Sequence, residues 1–376
     1  MVIKSSLYNF HKKLGARFTE FAGFEMPIQY TSIKDEHLTV RKSVGIFDVS
    51  HMSNVWIKGD GAEDLISLTT VEDASRITDK KSQYTAILRD DGTVIDDTIF
   101  MHLGNKFMMI PNAGMADIVY KWLNKKAEEK NISATAEDVS KDYVILAVQG
   151  PKSRDTLKKL TKTDLKTVGF FGCQYVDIAG IGCIVSHTGY TGELGFELQI
   201  TPASQAKEVF IKILEAGKEY GIKPIGLGAR DTLRLEKGFI LAGNEFKGGR
   251  TPLEAIMSWT INWDHDFIGK EALIKQKEKG DYERLTCLVC QEKGIPRHGC
   301  EIQRDGKNIG IVTSGTMSPC LNTGIAMGYC HPEYREKDSI NDIIIRDKKI
   351  KSKVIKPPFV HKDWINSRGC QLKRLI

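Results

Sequence analysis

The clearest structural signal lies in residues 84–103, which read YTAILRDDGTVIDDTIFMHL. Two runs rich in β-branched and apolar residues, 84–88 and 93–103, flank Asp90, Asp91 and Gly92. A short Asp-Gly turn between two such runs predicts a β-hairpin. Helical patterns precede and follow this hairpin along the chain, so we expect a sheet with helices packed against it.

The second strand of this hairpin carries two adjacent carboxylates. Alternate residues of a strand share a face, so Asp96 shares its face with polar residues such as Thr98, whereas Asp97 is the only polar residue among Ile, Met and Leu side chains. A carboxylate on an apolar face must be paired, protonated or directed into a cavity, because an isolated buried charge is costly. The pattern leaves two interpretations of Asp97 open, a structural ion pair and a functional carboxylate.

Two further segments contain charged residues at notable positions. If a strand begins at Gly195, Glu197 points outward or into a cleft while its apolar neighbours face the core. On a helix, Arg230, Arg234 and Lys237 share one face. That face is either a solvated stripe or, at Arg230, a cation near a cavity carboxylate such as Glu197.

The chain of 376 residues is long enough for two or three domains. Helical and strand patterns mix over residues 1–280, and helical periodicity then disappears. We therefore expect an α+β region at 1–280 and an all-β domain, a barrel or jelly-roll, at 281–376. The basic segment 347–353 predicts a hairpin turn whose charges keep an edge strand from pairing, with a weak patch for nucleic acid or an acidic protein as the alternative.

Composition excludes several protein classes. Hydrophobic residues make up 41% and charged residues 27%, which excludes a disordered chain. No apolar run approaches the roughly 20 residues of a membrane span, and neither a secretory nor an Arg-rich leader is visible, so we predict a cytoplasmic protein. The net charge of +6 comes without a nucleic-acid-binding motif.

The lone C-x-x-C at Cys287 and Cys290 lies in a predicted strand and favours buried thiols over a metal site.

Several collinear motifs resemble those of one known family. They are FAGFEMPIQY at 21–30, GIFDVSHM at 45–52, the Asp96-Asp97 strand, PNAG at 111–114, QGP at 149–151, GYTGE at 189–193, ARD at 229–231, TPLEA at 251–255 and VTSGTMS at 312–318. In this order and over nearly the whole chain, they are similar to the aminomethyltransferases, or T-proteins, of the glycine cleavage system.

The resemblance implies a three-domain cloverleaf around a central folate-binding opening. Two interleaved α+β domains would form residues 1–280, with part of the second at about 52–140, and the C-terminal domain would be all-β. Asp97 matches the catalytic aspartate of the family. The positions that match folate- and substrate-binding residues are Tyr84, Asn112, Tyr190, Glu197 and Arg230, together with Trp364 where the family has a tyrosine.

The implied reaction transfers the methylene carbon of an aminomethyl group. The donor is the dihydrolipoyl arm of lipoylated H-protein, and the acceptor is tetrahydrofolate, so the products are 5,10-methylenetetrahydrofolate and ammonia. No metal, membrane or nucleic acid takes part. The same scaffold resembles folate-dependent demethylases, which remain an alternative. Non-catalytic folate-binding relatives carry a Lys-Gly-Cys motif, whereas Lys237 and Gly238 are followed here by Phe239.

Overall fold

The computed structural model describes residues 2–361, which form two compact units. Within the described residues, the first unit contains 2–87 together with Asp96–Arg230, and the second contains Leu88–Ile95 together with 231–361. The predicted division at residue 280 stays a prediction.

Helices and strands alternate throughout the first unit, and strands dominate the end of the second. The helices of the described residues are α1 Tyr8–Lys13, α2 Ile33–Lys42, α3 Ala62–Thr69, α4 Ala116–Glu129, α5 Ser153–Leu157, α6 Ala206–Gly217, α7 Leu227–Lys237, α8 Ala242–Glu245 and α9 Lys270–Lys279. The strands are β1 Ile3–Lys4, β2 Arg17–Phe21, β3 Phe24–Gln29, β4 Gly45–Asp48, β5 Val55–Lys58, β6 Ser82–Leu88, β7 Val94–His102, β8 Lys106–Ile110, β9 Thr135–Asp138, β10 Val144–Gln149, β11 Cys173–Ile178, β12 Ile181–Ser186, β13 Gly195–Ile200, β14 Lys223–Ile225, β15 Arg284–Cys290, β16 Glu301–Arg304, β17 Lys307–Ser318, β18 Thr323–Cys330, β19 Ile340–Ile345 and β20 Lys348–Ile355.

A six-stranded sheet, in the order β11-β12-β13-β10-β4-β14, organises the main core of the first unit. Alternate residues of β13, namely Phe196, Leu198 and Ile200, are fully buried in this core. The amphipathic helix α6 packs on the same core through Val209 and Phe210. The predicted start of a strand at Gly195 is thereby confirmed, and Glu197 lies on the opposite face of β13.

The predicted hairpin is present in a five-stranded sheet ordered β6-β7-β8-β5-β9. Its turn closes with a hydrogen bond from Gly92 N to Arg89 O, and Gly92 adopts a positive φ of 81°, a conformation that glycine adopts without strain. Strand β7 lies between β6 and β8 and is covered on both faces. Asp96 and Asp97 lie on opposite faces of β7 and are both buried, so the sequence pattern, which indicated one apolar face, pointed to Asp97 alone.

The second unit ends in a closed barrel of six strands, ordered β15-β18-β17-β16-β19-β20. Its core contains Leu288, Val312, Ile343 and other apolar side chains that are almost fully buried. The predicted mixture of helices and sheets with an all-β C-terminal domain is confirmed, as a barrel. Cys287 and Cys290 are free, buried thiols as expected.

The basic segment is the predicted hairpin, because Ile345 pairs with Lys348 across a two-residue turn. Both turn residues, Arg346 and Asp347, have a positive φ, as type I′ turns require. The expected role in protecting an edge strand is wrong, because β20 pairs with β19 on one side and with β15 on the other. Between residues 2 and 361, no helix combines the length and apolarity that crossing a bilayer requires.

Candidate active site

Asp97 is buried and held through both of its carboxylate oxygens. Only 8% of the residue is exposed. The Tyr84 hydroxyl donates to Oδ2 at 2.7 Å, and the Asn112 amide donates to Oδ1 at 2.9 Å. These contacts fix the orientation of the carboxylate, so the structure brings three of the predicted site residues together.

Adjacent strands account for this arrangement. Tyr84 lies on β6 and Asp97 on the neighbouring β7, while Asn112 follows the end of β8 on the other side. Burial and the neighbouring Asp97 carboxylate raise the pKa of Tyr84 well above its usual value. The phenol therefore stays protonated at neutral pH and acts as a hydrogen-bond donor.

Asp96 lies next to Asp97 and is fully buried. It accepts hydrogen bonds from Asn112 through the backbone N–H, at 2.9 Å, and through the side-chain amide, at 2.8 Å. Burial and the Asp97 charge raise the pKa of Asp96 well above its ordinary value, although the Asn112 hydrogen bonds act in the opposite direction. The two carboxylates therefore differ in environment despite their adjacency.

Glu197 is half-buried on β13 and hydrogen-bonded to Thr188. Thr188 Oγ1 donates to Glu197 Oε2, and its oxygen is 2.7 Å from the Ser186 hydroxyl. Burial raises the pKa of Glu197, while the Thr188 hydrogen bond and the Arg230 charge oppose that shift. Among the described residues, Oε1 of Glu197 has no hydrogen-bond partner, so this oxygen can accept from a ligand.

The Gly-rich segment that follows Thr188 is held by one buried amide. Gln149 donates to Thr188 O at 3.1 Å and accepts from Thr191 Oγ1 at 2.8 Å. A Cβ at either Gly189 or Gly195 would collide with the Gln149 amide. Glycine at these two positions thus makes room for the Gln149 side chain.

Arg230 and Tyr190 form a second pair of predicted site residues. The Arg230 guanidinium lies over the Tyr190 ring, 4.5 Å from its centroid, which is cation–π geometry. Arg230 Nη2 is also 4.0 Å from the sulfur of Met52. Arg230 belongs to the first turns of α7, whereas Arg234 on the same helix is buried and paired with Glu245 at 3.4 Å. The solvated-stripe interpretation is therefore wrong for Arg234.

His51 is a feature of this region that its sequence context did not reveal. The imidazole is fully buried, and among residues 2–361 neither ring nitrogen has a hydrogen-bond partner. The Phe21 ring packs edge-on against it with centroids 5.4 Å apart. Burial and, to a smaller extent, the Arg230 charge lower the pKa of His51 to about 3, against the effect of Asp48. The histidine is neutral at physiological pH.

The predicted contact of Trp364 lies outside the described residues. Sequence reasoning also missed Thr188, Met52 and the burial of Asp96. Met52 and His51 both fall within the GIFDVSHM motif, so the motif marked the region without showing which of its side chains approach Arg230.

Comparison with known proteins decides the family. Residues 7–265 match the model of the GCVT N-terminal domain, and residues 283–361 match that of the glycine cleavage T-protein C-terminal barrel domain. The chain belongs to the glycine cleavage T-protein family. It is therefore an enzyme, an aminomethyltransferase of the glycine cleavage system, as the motifs predicted.

Individual relatives agree over nearly the full length. Aminomethyltransferases of Halothermothrix orenii and Flavobacterium psychrophilum are 40% and 41% identical, and each match covers 95% of this chain and 99% of the relative. The crystal structure of glycine cleavage system aminomethyltransferase T from Bartonella henselae superposes with a TM-score of 0.89 at 30% identity, covering 96% of this chain and 98% of that one. The T-protein family binds folate, and its members function with the other components of glycine cleavage.

Proposed function

We propose that the protein transfers the methylene carbon of an aminomethyl group from the dihydrolipoyl arm of lipoylated H-protein to tetrahydrofolate. The products are 5,10-methylenetetrahydrofolate, ammonia and H-protein with a free dihydrolipoyl arm. The observation that carries the proposal is the Asp97 carboxylate, which is buried and oriented by Tyr84 and Asn112.

The chemistry of the donor explains why a fixed carboxylate is useful. Loss of thiolate from the S–CH2–N unit leaves an iminium-like cation, and loss of ammonia leaves a thionium-like one. In either case the pterin N5 attacks the cationic carbon, and N10 then displaces the group that remains. A preorganised anion in a site with little water stabilises this charge more in the transition state than in the ground state. Asp97 is the catalytic residue in this proposal, acting through its charge and by positioning N5.

Glu197 would bind the amino-pyrimidine edge of the pterin. That edge presents adjacent N–H donors, and a carboxylate accepts such a pair with its oxygens. One Glu197 oxygen already accepts from Thr188, which orients the group, and the other has no partner among residues 2–361. The remaining acceptor oxygen of Glu197 supports binding of a reduced folate at this position.

Tyr190 and Arg230 supply a flat aromatic face and a delocalised cation in contact with each other. Planar ligands stack on such groups, and a guanidinium also attracts anionic parts of a ligand. Trp364, in the position of a family tyrosine, stays a predicted stacking residue. The net charge of +6 favours encounter with an acidic carrier protein, and the cytoplasmic location stays a prediction.

The deciding experiment measures ammonia release from aminomethylated, lipoylated H-protein with and without tetrahydrofolate. We expect release to depend strongly on tetrahydrofolate and to accompany formation of methylenetetrahydrofolate, detected by mass spectrometry. H-protein without lipoate is the matched control and should give no product.

A folate-dependent demethylase would give a different result. It would form methylenetetrahydrofolate from small methylated amines or sulfonium compounds and would leave aminomethylated H-protein unchanged. That outcome would overturn the proposed donor while leaving the folate site intact.

A further inference from the structure

Asp96 is a buried acid for which the structure supplies only neutral partners. Both of its oxygens accept N–H groups of Asn112, at 2.8 and 2.9 Å, and the residue has no exposed surface. Across the described residues no Lys, Arg or His side chain pairs with it. A buried carboxylate without a cation is strongly disfavoured in its charged form.

The side-chain amide of Asn112 serves both carboxylates at once. Its nitrogen lies 2.8 Å from Asp96 Oδ1, 2.9 Å from Asp97 Oδ1 and 2.7 Å from the Asp97 carbonyl oxygen. An amide nitrogen has two hydrogens, so it cannot donate fully to three oxygens. A second negative charge at Asp96 would therefore compete with Asp97 for the same donor.

We propose that Asp96 is a positioning residue that keeps its proton at neutral pH, so that its uncharged carboxyl holds the Asn112 amide against Asp97 and leaves Asp97 as the anion of the pair. A protonated carboxyl retains acceptor capacity on its oxygens, so both contacts with Asn112 persist. The positioning role rests on the proposed function, whereas the protonation state does not.

The groups around the pair support this assignment. Tyr84 on β6 faces both carboxylates, and Tyr190 lies close enough to act on Tyr84 electrostatically. Arg230 is the nearby cation, but it lies over the Tyr190 ring and does not pair with Asp96. Burial and the charge of Asp97 are the two causes that raise the pKa of Asp96. When two carboxylates share a site, the negative charge of one raises the pKa of the other, because like charges at this distance repel each other.

The consequence is a single, well-placed negative charge beside the reacting carbon. When Asp96 loses its proton at alkaline pH, the second anion pulls the Asn112 amide away from Asp97 and disturbs its orientation. The rate of methylene transfer should then fall as the pH rises. The apparent pKa of this fall belongs to the two coupled carboxylates together.

Infrared spectroscopy of the full-length protein tests the protonation state directly. At neutral pH we expect a carboxylic-acid C=O band that shifts when aspartate carboxyls are labelled with carbon-13 and disappears in Asp96→Asn. Selective labelling separates this band from Glu197, whose pKa is also raised. Asp91→Asn, at an exposed position in the adjacent turn, is the matched control and should keep the band.

Absence of the aspartic-acid band in the wild type would overturn the proposal, and so would a band that survives in Asp96→Asn. Should Asp96→Asn fail to fold, Asp97→Asn provides the second measurement. Removing the neighbouring charge should make Asp96 lose its proton at a lower pH, and an unchanged titration would contradict the coupling.

The pH profile of kcat tests the positioning role. Wild-type turnover should decline at alkaline pH, and Asp96→Asn should lose this decline because its side chain cannot ionise. A decline that persists unchanged in Asp96→Asn would overturn the positioning role. Failure of tetrahydrofolate-dependent transfer in the wild type would instead overturn the proposed function, and the infrared result would stand.

Discussion

Asp97 and Asp96 are neighbouring aspartates in different surroundings, so the same substitution should affect them differently. Asp97→Asn removes the charge that faces the developing cation while keeping the shape of the side chain. We expect turnover to fall by at least about 100-fold to 1,000-fold, the loss typical of removing one stabilising group, with folate binding retained.

Asp96→Asn leaves the side chain uncharged and loses one of the two hydrogen bonds donated by Asn112, because an amide nitrogen cannot accept. Its loss of turnover should therefore be much smaller. Steady-state kinetics with aminomethylated H-protein and calorimetric titration of folate separate the two effects. Equal losses in the two variants would contradict the assignment of Asp97 as the catalytic carboxylate.

His51 should destabilise the fold, because its buried nitrogens lack partners among the described residues. A buried polar group without a hydrogen bond costs about 1–3 kcal/mol, so His51→Leu should raise the free energy of unfolding by about that amount. Urea denaturation measures the change. The exposed His331→Leu is the matched control and should alter stability little.

The stability gain in His51→Leu should grow under acid. The folded pKa of about 3 lies below the value of about 6.5 for an unfolded histidine. As pH falls from about 6.5 towards 3, the unfolded wild type binds a proton that the folded state excludes, so the wild type loses stability that the variant keeps. A gain that is constant over this range would contradict the burial of a neutral imidazole.

At the level of secondary-structure elements, Gln149 on β10 contacts the glycine-rich segment. We expect this contact to fix the orientation of Glu197. Gly195→Ala would push the Gln149 amide away from Thr188 and Thr191. We expect a loss of about 1–3 kcal/mol in stability, as overpacking typically causes, together with weaker folate binding.

Gly182→Ala on β12 is the matched control for this effect. A Cβ at Gly182 meets no atom within 4 Å, so both stability and folate affinity should stay near wild type. Folate affinity that survives Gly195→Ala unchanged would show that the Gln149 contact does not position Glu197.

How well the elements could be predicted depended on whether the signal was local. The hairpin turn at Asp90, Asp91 and Gly92 and the start of β13 at Gly195 could be predicted, because turn residues and strand periodicity are signals within a few residues. The burial of Asp96 could not be predicted, because it depends on what covers the second face of β7. The same holds for the burial of Arg234, which pairs with Asp231 on its own helix and with Glu245 on another helix.

The sequence predicted which residues belong to the site better than it predicted the contacts between them. The family motifs marked Asp97, Tyr84 and Asn112. Only the three-dimensional structure shows that the Asn112 amide donates to both aspartates. Strand pairing brings residues from distant parts of the chain together. A local sequence pattern does not show which of these residues will be in contact.

At the scale of the whole molecule, we expect a buried ion pair between Arg234 and Glu245 to contribute strongly to the stability of the second unit. Arg234 and Glu245 are 1% and 0% exposed, and both contact the Ser314 hydroxyl on β17. Breaking such a pair leaves an uncompensated charge and costs about 3–5 kcal/mol, so Arg234→Met should lower the denaturant midpoint of this unit strongly.

The double variant Arg234→Met with Glu245→Leu tests that explanation. Removing both charges together should be less harmful than the sum of the single substitutions, because neither charge is then left alone. Strictly additive losses would mean that the two side chains contribute through separate contacts.

The closed barrel has a consequence for how the protein behaves at high concentration. Each of its six strands finds both hydrogen-bonding neighbours within the same ring, so the ring presents no unsatisfied row of amides on which a second molecule could grow. Lys348, Lys349 and Lys351 are therefore not needed to prevent fibrous association through this unit. Substitution of these lysines should therefore not cause polymerisation through the barrel, and the sequence at this part of the surface is free to vary.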